Sequence, residues 1–380
     1  MVSTTAADNS PVISAWSAIS PWGLDSADFA RGVRSKGRTA VRLDPGEWKV
    51  PYDEACLVPG FDIRSVLGKK GTRSMDRVSG LAVAAVGRLL ADSDGGRLPG
   101  VGEDTGLVLG TSTGSAQSMM DFTRDSMVGD RPYLVDPARF PNTVMNCAAG
   151  QSAIWHRLKG PNTTIAGGRA TGLLALQYAL RLQKAGRAET LLCGAVEEFS
   201  TARAWLEWHS RRNGEQVKDP DAVLGEGAAV WLVERAGAAR AGGRRGMAEP
   251  LGLEFGFARD EKEIRPVLAD CLRRLLKRAG TEPAGIWALA GSQAGGAEGA
   301  QERAAIADVL GDHRPISVPC AASIGDTFAA SAAFQIAAVL ALAESGDAGG
   351  ERTVLVTSAE ANGVVGAALL RLAAQGHEDN

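Results

Sequence analysis

The chain carries one order of predicted elements twice, and this internal duplication constrains the fold more than any other feature of its 380 residues. In the first copy, the apolar strand GLVLG (106–110) precedes the segment 163–166, which leads into the glycine-bearing turn GGRATG (167–172). A helix follows that turn, and the apolar run TLLCGAV (190–196) closes the copy. Strand, turn, buried helix and strand in this order are typical of an α/β unit.

The second copy begins with the strand IWALA (286–290), which ends in a Gly-Ser turn. The segment ISVPCAASIGD (316–326) then turns into the helix FAASAAFQIAAVLALAES (328–345). The stretch ERTVLVTSAE (351–360) supplies the closing strand. Because this copy repeats the first in the type and order of its elements, we predict a duplicated α/β protein.

The helices that follow the two turns are rich in alanine and apolar nearly all round, which indicates central rather than surface helices. The closing strands are continuous apolar runs, as strands covered on both faces are. We therefore predict a layered α-β-α-β-α sandwich, in which two sheets cover a pair of buried helices and the helix-start turns converge near the centre. We place one half at residues 1–240 and the other at residues 247–380, both within one compact unit, because the Gly- and Arg-rich stretch 236–246 is typical of a surface loop.

Composition and charge argue against several classes of function. A net charge of −3 argues against a general nucleic-acid binder, which would carry a basic excess. The five cysteines never form a CxxC pair, so we expect a reducing compartment and no metal site. The N-terminus lacks the pattern of a secretory signal, and the longest apolar stretch (328–343) is too short and too polar to span a membrane. We expect a cytoplasmic protein with no cofactor and no nucleic-acid or membrane partner.

Five segments in sequence order resemble motifs of the β-ketoacyl synthases, a family with the thiolase-like fold. They are SMDRVS (74–79), FPNTVMNCAAG (140–150), GPNTT (160–164), GEGAA (225–229) and NGVVGA (362–367). The resemblance runs over nearly the whole chain and implies the thiolase-like fold. It also implies the family's reaction, a decarboxylative Claisen condensation. In that reaction a cysteine at a helix N-terminus takes the acyl chain, and two histidines stabilise the enolate and the thioester oxyanion.

The catalytic positions that this resemblance implies carry other residues here. Arg169 stands at the cysteine position, and its guanidinium stays protonated and cannot act as a nucleophile. Ala290 and Asp326 stand at the two histidine positions, and Ala321 stands at that of a lysine. The histidines of the chain lie outside these turns; they are His156, His209, His313 and His377. We therefore expect no condensation by this chain alone.

This pattern resembles the chain-length factors, the partner subunits of ketosynthases in type II polyketide synthases. The resemblance implies a non-catalytic subunit that forms a heterodimer with a catalytic ketosynthase and bounds its acyl tunnel. Such a subunit sets the length of a polyketide or polyene built on an acyl carrier protein. Two alternatives stay open: a malonyl-carrier decarboxylase or atypical acyltransferase of this fold, and an inactive regulatory homodimer. Decarboxylation normally keeps the histidine pair, which this chain lacks.

An arginine buried in the vacated pocket needs a charged partner, because an unpaired buried charge is costly. The resemblance makes the cysteine and the second histidine neighbours, so we expect Arg169 and Asp326 to form an ion pair there. Glu197 and Glu198, after the first closing strand, are the next candidate partners. The alternative is that Arg169 points to solvent or to the partner chain.

The stretch 111–130 starts as a turn and becomes helical, and it contains the candidate tunnel gate. Ser115, Ser118, Met119 and Phe122 recur at helical spacing, so we place them on one helix face. In chain-length factors the corresponding helix crosses the subunit interface, and its bulky residues plug the partner's tunnel. The resemblance therefore implies a gate with Phe122 as its main residue. The alternative is that Met119 and Phe122 are ordinary core residues.

Overall fold

A computed structural model of the chain describes residues 8–92, 94–213, 216–217, 222–344 and 351–373. His377, one of the histidines named above, lies outside the described residues. Among the helices in these ranges, none combines the length and the apolar character that crossing a membrane requires.

The described residues form fifteen strands in three sheets. In chain order they are β1 (Pro11–Ile19), β2 (Val41–Arg42), β3 (Glu54–Cys56), β4 (Gly106–Gly110), β5 (Asn162–Ile165), β6 (Leu191–Glu197), β7 (Arg212–Asn213), β8 (Gln216–Val217), β9 (Leu224–Gly225), β10 (Gly227–Arg235), β11 (Ala248–Ala258), β12 (Ile286–Ala290), β13 (Ile316–Ser317), β14 (Arg352–Ser358) and β15 (Gly363–Leu372). Strands β2, β3 and β9 form a small sheet, and β7 pairs with β8.

The other ten strands form one mixed sheet in the order β13-β12-β14-β15-β11-β1-β10-β6-β4-β5. Its two five-stranded halves meet where β1 pairs with β11 through Ile13 and Ala248. In each half the three outer strands are parallel, and the two strands nearest the junction are antiparallel. The same strand order thus occurs twice, as the duplicated sequence predicts. The division of the chain between residues 240 and 247 stays a prediction.

Twelve α-helices occur in the described residues. They are α1 (Ser26–Ser35), α2 (Ile63–Leu67), α3 (Arg77–Leu90), α4 (Ala116–Val128), α5 (Cys147–His156), α6 (Thr171–Lys184), α7 (Thr201–Ser210), α8 (Ala236–Ala241), α9 (Glu261–Ala279), α10 (Gly296–Leu310), α11 (Ala321–Ile324) and α12 (Ser331–Glu344). Short 3₁₀ turns lie at Pro137–Thr143, Gly168–Ala170, Pro283–Gly285 and Phe328–Ala330.

The alanine-rich helices α6 and α12 lie at the centre of the molecule. Almost every residue of α12 is buried, which explains why its sequence is apolar on all sides. Gly172 allows α6 to approach α12 closely, because a Cβ at Gly172 would lie 2.5 Å from the backbone nitrogen of Ala333. This close approach brings the turns at the starts of the two helices into one region.

The strands between the layers alternate their side chains between the central helices and the outer helices. Along β10, Trp231 belongs to the central cluster, and Val230 and Leu232 belong to the outer cluster around α3. Along β14, Val356 faces the centre and Leu355 faces the outer cluster around α9. The layers are those predicted from the continuous apolar strands, but the two predicted sheets are the two halves of one sheet, because β1 pairs with β11.

Candidate functional site

The turns that begin the two central helices meet at a buried ion pair. Arg169 lies in the 3₁₀ turn before α6, and Asp326 follows the short helix α11. The two terminal nitrogens of Arg169 donate to the two carboxylate oxygens of Asp326, each at 2.6 Å. The two side chains are only 12% and 14% exposed. A paired arginine–carboxylate contact of this kind is among the strongest charge-assisted hydrogen-bond arrangements.

Burial alone would lower the pKa of Arg169 and raise the pKa of Asp326, because a low dielectric penalises both charges. The neighbouring charges outweigh this effect. Asp326 keeps the pKa of Arg169 above its ordinary value. Arg169, together with Arg211, holds the pKa of Asp326 well below its ordinary value. Both members of the pair are therefore ionised at neutral pH.

Two more guanidinium groups surround Asp326. A terminal nitrogen of Arg211 donates to its carboxylate at 2.7 Å. The buried Arg203 donates to three backbone carbonyl oxygens, those of Glu198 (2.8 Å), Gly225 (2.7 Å) and Asp326 (2.9 Å). Arg203 thus ties the turn that carries Asp326 to the ends of β6 and β9.

The backbone at Arg169 is held by Glu360, whose carboxylate accepts a hydrogen bond from the amide nitrogen of Arg169 at 2.9 Å. Gly168 has a φ of +58°, and a Cβ there would lie 1.6 Å from a carboxylate oxygen of Glu360. The turn therefore requires glycine at that position. The guanidinium carbon of Arg169 lies 5.6 Å from the centre of the Phe328 ring, which adds a cation–π contact.

The other two positions that the family resemblance marks as replaced both carry alanine. Ala290 is fully buried at the end of β12. Ala321 begins α11 and lines a cavity of about 400 Å³ together with Arg169 and Asp326. A methyl group at either position supplies neither a proton donor nor an acceptor to this cavity.

The two cysteines described at this cavity offer no thiolate nucleophile. Cys56 lines it, and burial raises the pKa of its thiol. Burial also raises the pKa of Cys320, the residue before Ala321. The thiolate is the nucleophilic form of cysteine, and a raised pKa keeps both thiols protonated, so neither sulfur is activated as a nucleophile. The side-chain oxygen of Gln293 closes one wall by accepting from the backbone nitrogens of Cys320 and Ala322 at 3.0 and 3.2 Å.

The helix α4 carries the candidate gate residues. Ser115 is its buried N-cap, and the Ser115 hydroxyl lies 3.0 Å from the Ser118 hydroxyl. Met119 and Phe122 are half-buried and belong to none of the described core clusters. The Phe122 ring contacts the ring of Phe140, with centroids 5.8 Å apart. Phe122 is thus placed near the surface rather than in the core.

A large apolar area surrounds α4, and we call it the α4 surface. Its exposed members on α4 and the following segment are Met120, Met127, Val128, Tyr133, Leu134, Phe140, Val144 and Met145. The 3₁₀ turn Pro137–Thr143 packs on α4, so these residues lie on neighbouring elements. Strand β5 is the outermost strand of the large sheet in the same half. Contiguous exposed apolar residues of this kind mark an interaction site.

Comparison with known proteins identifies the family. Residues 12–239, more than half of the chain, match the family described as "Beta-ketoacyl synthase, N-terminal domain". This chain belongs to the β-ketoacyl synthase family. The ten-stranded sheet and the central helices are accordingly those of a thiolase-like fold.

Two solved structures illustrate the relationship of this chain to other members of the family. The ishigamide ketosynthase/chain length factor is 44% identical, with a TM-score of 0.87 over 96% of this chain and 99% of that chain. A type II polyketide synthase acyl-carrier protein in complex with its ketosynthase bound to the hexaketide (AntDE:AntF) is 17% identical. Its TM-score is 0.76 over 97% of this chain and 100% of that chain, a likeness of fold. At 44% identity, the chain is therefore similar to a ketosynthase/chain length factor protein.

A curated relative is the 3-oxoacyl-[acyl-carrier-protein] synthase 2 of Rhizobium meliloti (strain 1021). It is 29% identical over 267 residues, which are 62% of this chain and 62% of the relative. The match therefore spans less than two thirds of the length of that relative.

Several residues of this site belong to none of the sequence motifs. Arg203, Glu207 and Arg211 recur every four residues, which puts them on one side of α7 and its C-cap. That spacing is the signal in the sequence from which Arg203 and Arg211 could have been recognised. The contact of Phe140 with Phe122 has no comparable signal, because it depends on the path of the segment between α4 and α5.

The two glutamates considered as other partners for Arg169 bind serines. Glu197 accepts a hydrogen bond from the Ser112 hydroxyl at 2.8 Å, and Glu198 accepts one from the Ser115 hydroxyl at 3.2 Å. Both glutamates are 1% exposed. Burial raises the pKa of each to about 7. Arg169 pairs with Asp326 instead.

Proposed function

We propose that this chain is a non-catalytic chain-length factor. It forms a heterodimer with a catalytic ketosynthase, bounds the acyl tunnel of that partner, and sets the length of the chain built on an acyl carrier protein. The observation that carries this proposal is Arg169, which stands where the family resemblance places the nucleophile and is held in a buried pair with Asp326. A guanidinium cannot accept an acyl group, and a carboxylate occupies the place of a histidine.

The ion pair also blocks the pocket of this chain to acyl groups. An acyl chain entering there would have to separate Arg169 from Asp326 and leave the buried guanidinium of Arg169 without its carboxylate partner. The growing chain is therefore held by the cysteine of the partner, which performs each extension.

The α4 surface supports the heterodimer. Its exposed methionines and aromatic residues suit the apolar centre of a stable subunit interface. The neighbouring edge strand β5 offers unpaired backbone groups to a second chain. The solved relative described as a ketosynthase/chain length factor supports the same kind of assembly. The acyl-carrier protein bound to its ketosynthase supports a carrier protein as the second partner.

The gate lies on α4. Phe122 contacts the ring of Phe140, an exposed member of the α4 surface, so we place the gate where the partner covers this surface. The acyl chain grows in the partner until its tip meets these rings. Bulky aromatic groups stop it because further extension would require overpacking a closed space.

Co-expression tests the proposal. The chain is produced with a catalytic ketosynthase encoded in the same genome, and the mass of the native complex is determined. We expect a one-to-one heterodimer whose extension activity with malonyl-carrier protein disappears when either chain is omitted. A stable homodimer that ignores the ketosynthase would favour the regulatory alternative. Malonyl-carrier decarboxylation by the isolated chain would favour the enzymatic one.

Two surface substitutions sharpen this experiment. Val128→Asp places a charge on α4, where Val128 is 75% exposed, and should abolish the heterodimer. Phe257→Asp is the matched control, because Phe257 is 55% exposed on β11 in the other half of the sheet. It should leave the complex intact. Equal effects of the two substitutions would argue against the α4 surface as the interface.

A further inference from the structure

Polar contacts hold the helix α4 in place more than apolar packing does. Of its residues, Ala116 is the only one that is fully buried. The first turn nevertheless contacts a buried carboxylate: Glu198 accepts from the Ser115 hydroxyl at 3.2 and 3.4 Å and lies 3.4 Å from the backbone nitrogen of Gln117. A hydrogen-bond acceptor at a helix N-terminus stabilises that end, because the first amide groups are unpaired.

The same turn is held from a second side. The side-chain oxygen of Gln117 accepts a hydrogen bond from the backbone nitrogen of Ala202 at 3.0 Å. Ala202 is the second residue of α7, so Gln117 also caps one of the unpaired amide groups at the start of that helix. The first turn of α4 is thus fixed between the end of β6 and the start of α7.

A chain of hydrogen bonds joins α4 to the ion pair of Arg169 and Asp326. The backbone oxygen of Glu198 accepts from Arg203 at 2.8 Å, and Arg203 donates to the backbone oxygen of Asp326 at 2.9 Å. Asp326 is the partner of Arg169. Glu198 is therefore the residue whose side chain reaches the gate helix and whose backbone reaches the network around the pocket.

We propose that Glu198 is a positioning residue that fixes the first turn of α4 and thereby sets how far Phe122 projects into the partner's tunnel. This inference rests on the proposed function. Phe122 lies seven residues beyond Ser115, about 10 Å along the helix axis. A small rotation about the first turn consequently displaces Phe122 much more than it displaces Ser115.

The test compares two substitutions in the heterodimer with the ketosynthase. Glu198→Met removes the acceptor, and the fraction of products longer than those of the wild type should rise about 3- to 10-fold, the range that the loss of one hydrogen bond corresponds to. Glu198→Gln keeps an acceptor oxygen and should restore most of the wild-type length distribution. The distribution is measured by mass spectrometry of products released from the carrier protein. Rescue by Gln is a result that general destabilisation would not give.

A matched control is Glu302→Met. Glu302 is 2% exposed and accepts a hydrogen bond from the Thr357 hydroxyl at 2.6 Å, far along the chain from α4. Glu302→Met should lower the free energy of unfolding without changing product length. A length shift equal to that of Glu198→Met would overturn the proposal. Should Glu198→Met fail to assemble, Ser115→Ala removes the donor from the other side and should shift product length in the same direction.

Phe122→Ala, measured in the same complex, distinguishes a failure of the proposed role of Glu198 from a failure of the proposed chain-length-factor function. A shift with Phe122→Ala and none with Glu198→Met or Ser115→Ala would overturn the role of Glu198 and leave the chain-length-factor function standing. Failure of the heterodimer to form would overturn the function itself. A double substitution of Ser115 and Glu198 should shift length no more than Glu198→Met alone, because both changes break one contact.

Discussion

Arg169 and Asp326 meet through two parallel hydrogen bonds of 2.6 Å, and each comes from the turn that starts one of the central helices. The charge that Arg169 brings into the pocket is balanced by Asp326, and each has its pKa held away from neutrality by the other. The two replacements therefore stabilise each other. Arg169 alone would lose its carboxylate partner, whereas Asp326 alone would keep Arg211.

The first prediction concerns stability. Asp326→Asn should lower the free energy of unfolding at pH 7 by about 3–5 kcal/mol, because Arg169 and Arg211 lose their shared counter-ion. Arg169→Met should cost less, because Asp326 keeps its contact with Arg211 at 2.7 Å. Urea unfolding followed by circular dichroism measures both. The reverse order would show that Arg211 does not support Asp326.

The exposed pair Arg265–Asp308 is the control for this comparison. Its side chains are 51% and 32% exposed, so solvent screens their attraction. Asp308→Asn should change the denaturation midpoint far less than Asp326→Asn does. Similar losses for both would mean that burial adds nothing to the pocket pair.

The second prediction is that Arg169→Cys does not create a ketosynthase. The new thiol would lie beside the Asp326 carboxylate, whose negative charge raises the pKa of a thiol and keeps it protonated. Ala290 would still offer no proton donor. Incubation with acyl-carrier protein followed by intact-protein mass spectrometry should show no acyl group on residue 169. Changing Asp326 to His in the same variant should speed alkylation of the thiol by iodoacetamide.

The fold is predictable from this sequence because few arrangements of layers can bury its duplicated apolar strands and its alanine-rich helices. The contact of Arg169 with Asp326 was anticipated because two motif positions converge in the family that the chain resembles. The contributions of Arg203 and Glu198 were not anticipated. Arg203 acts on backbone carbonyl oxygens, and Glu198 contacts the N-cap residue of α4. The tertiary structure makes these contacts, and no pattern in the sequence predicts them.

The third prediction concerns the gate. Phe122→Ala in the heterodimer should lengthen the products, because removing the ring opens space where the acyl chain ends. Phe140→Ala should act in the same direction, since the two rings are in contact. Mass spectrometry of the released products measures both effects. Phe257→Ala, an exposed phenylalanine on β11, should leave the length unchanged. An unchanged distribution with Phe122→Ala would place the gate elsewhere.

The last prediction is a dependence of stability on pH that originates at the end of β6. Burial raises the pKa of Glu197 and of Glu198 from 4.5 to about 7. Between these values the folded chain binds more protons than the unfolded chain, so raising the pH favours unfolding. The stabilisation from these two groups is complete below pH 4.5 and lost above about pH 7. Asp76 adds to the effect at Glu198, because its negative charge opposes ionisation of that glutamate.

The wild-type chain should therefore have a lower denaturation midpoint at pH 7.5 than at pH 5.5 through these groups. Glu197→Gln and Glu198→Gln each remove one titrating group, and each should flatten the difference between the two pH values. Asp326 does not interfere in this window, because Arg169 and Arg211 keep its pKa below it. Urea midpoints at the two pH values measure the effect. If both glutamine variants kept the full wild-type difference, Glu197 and Glu198 would already be ionised at pH 5.5, and the groups responsible for the pH dependence would have to lie elsewhere.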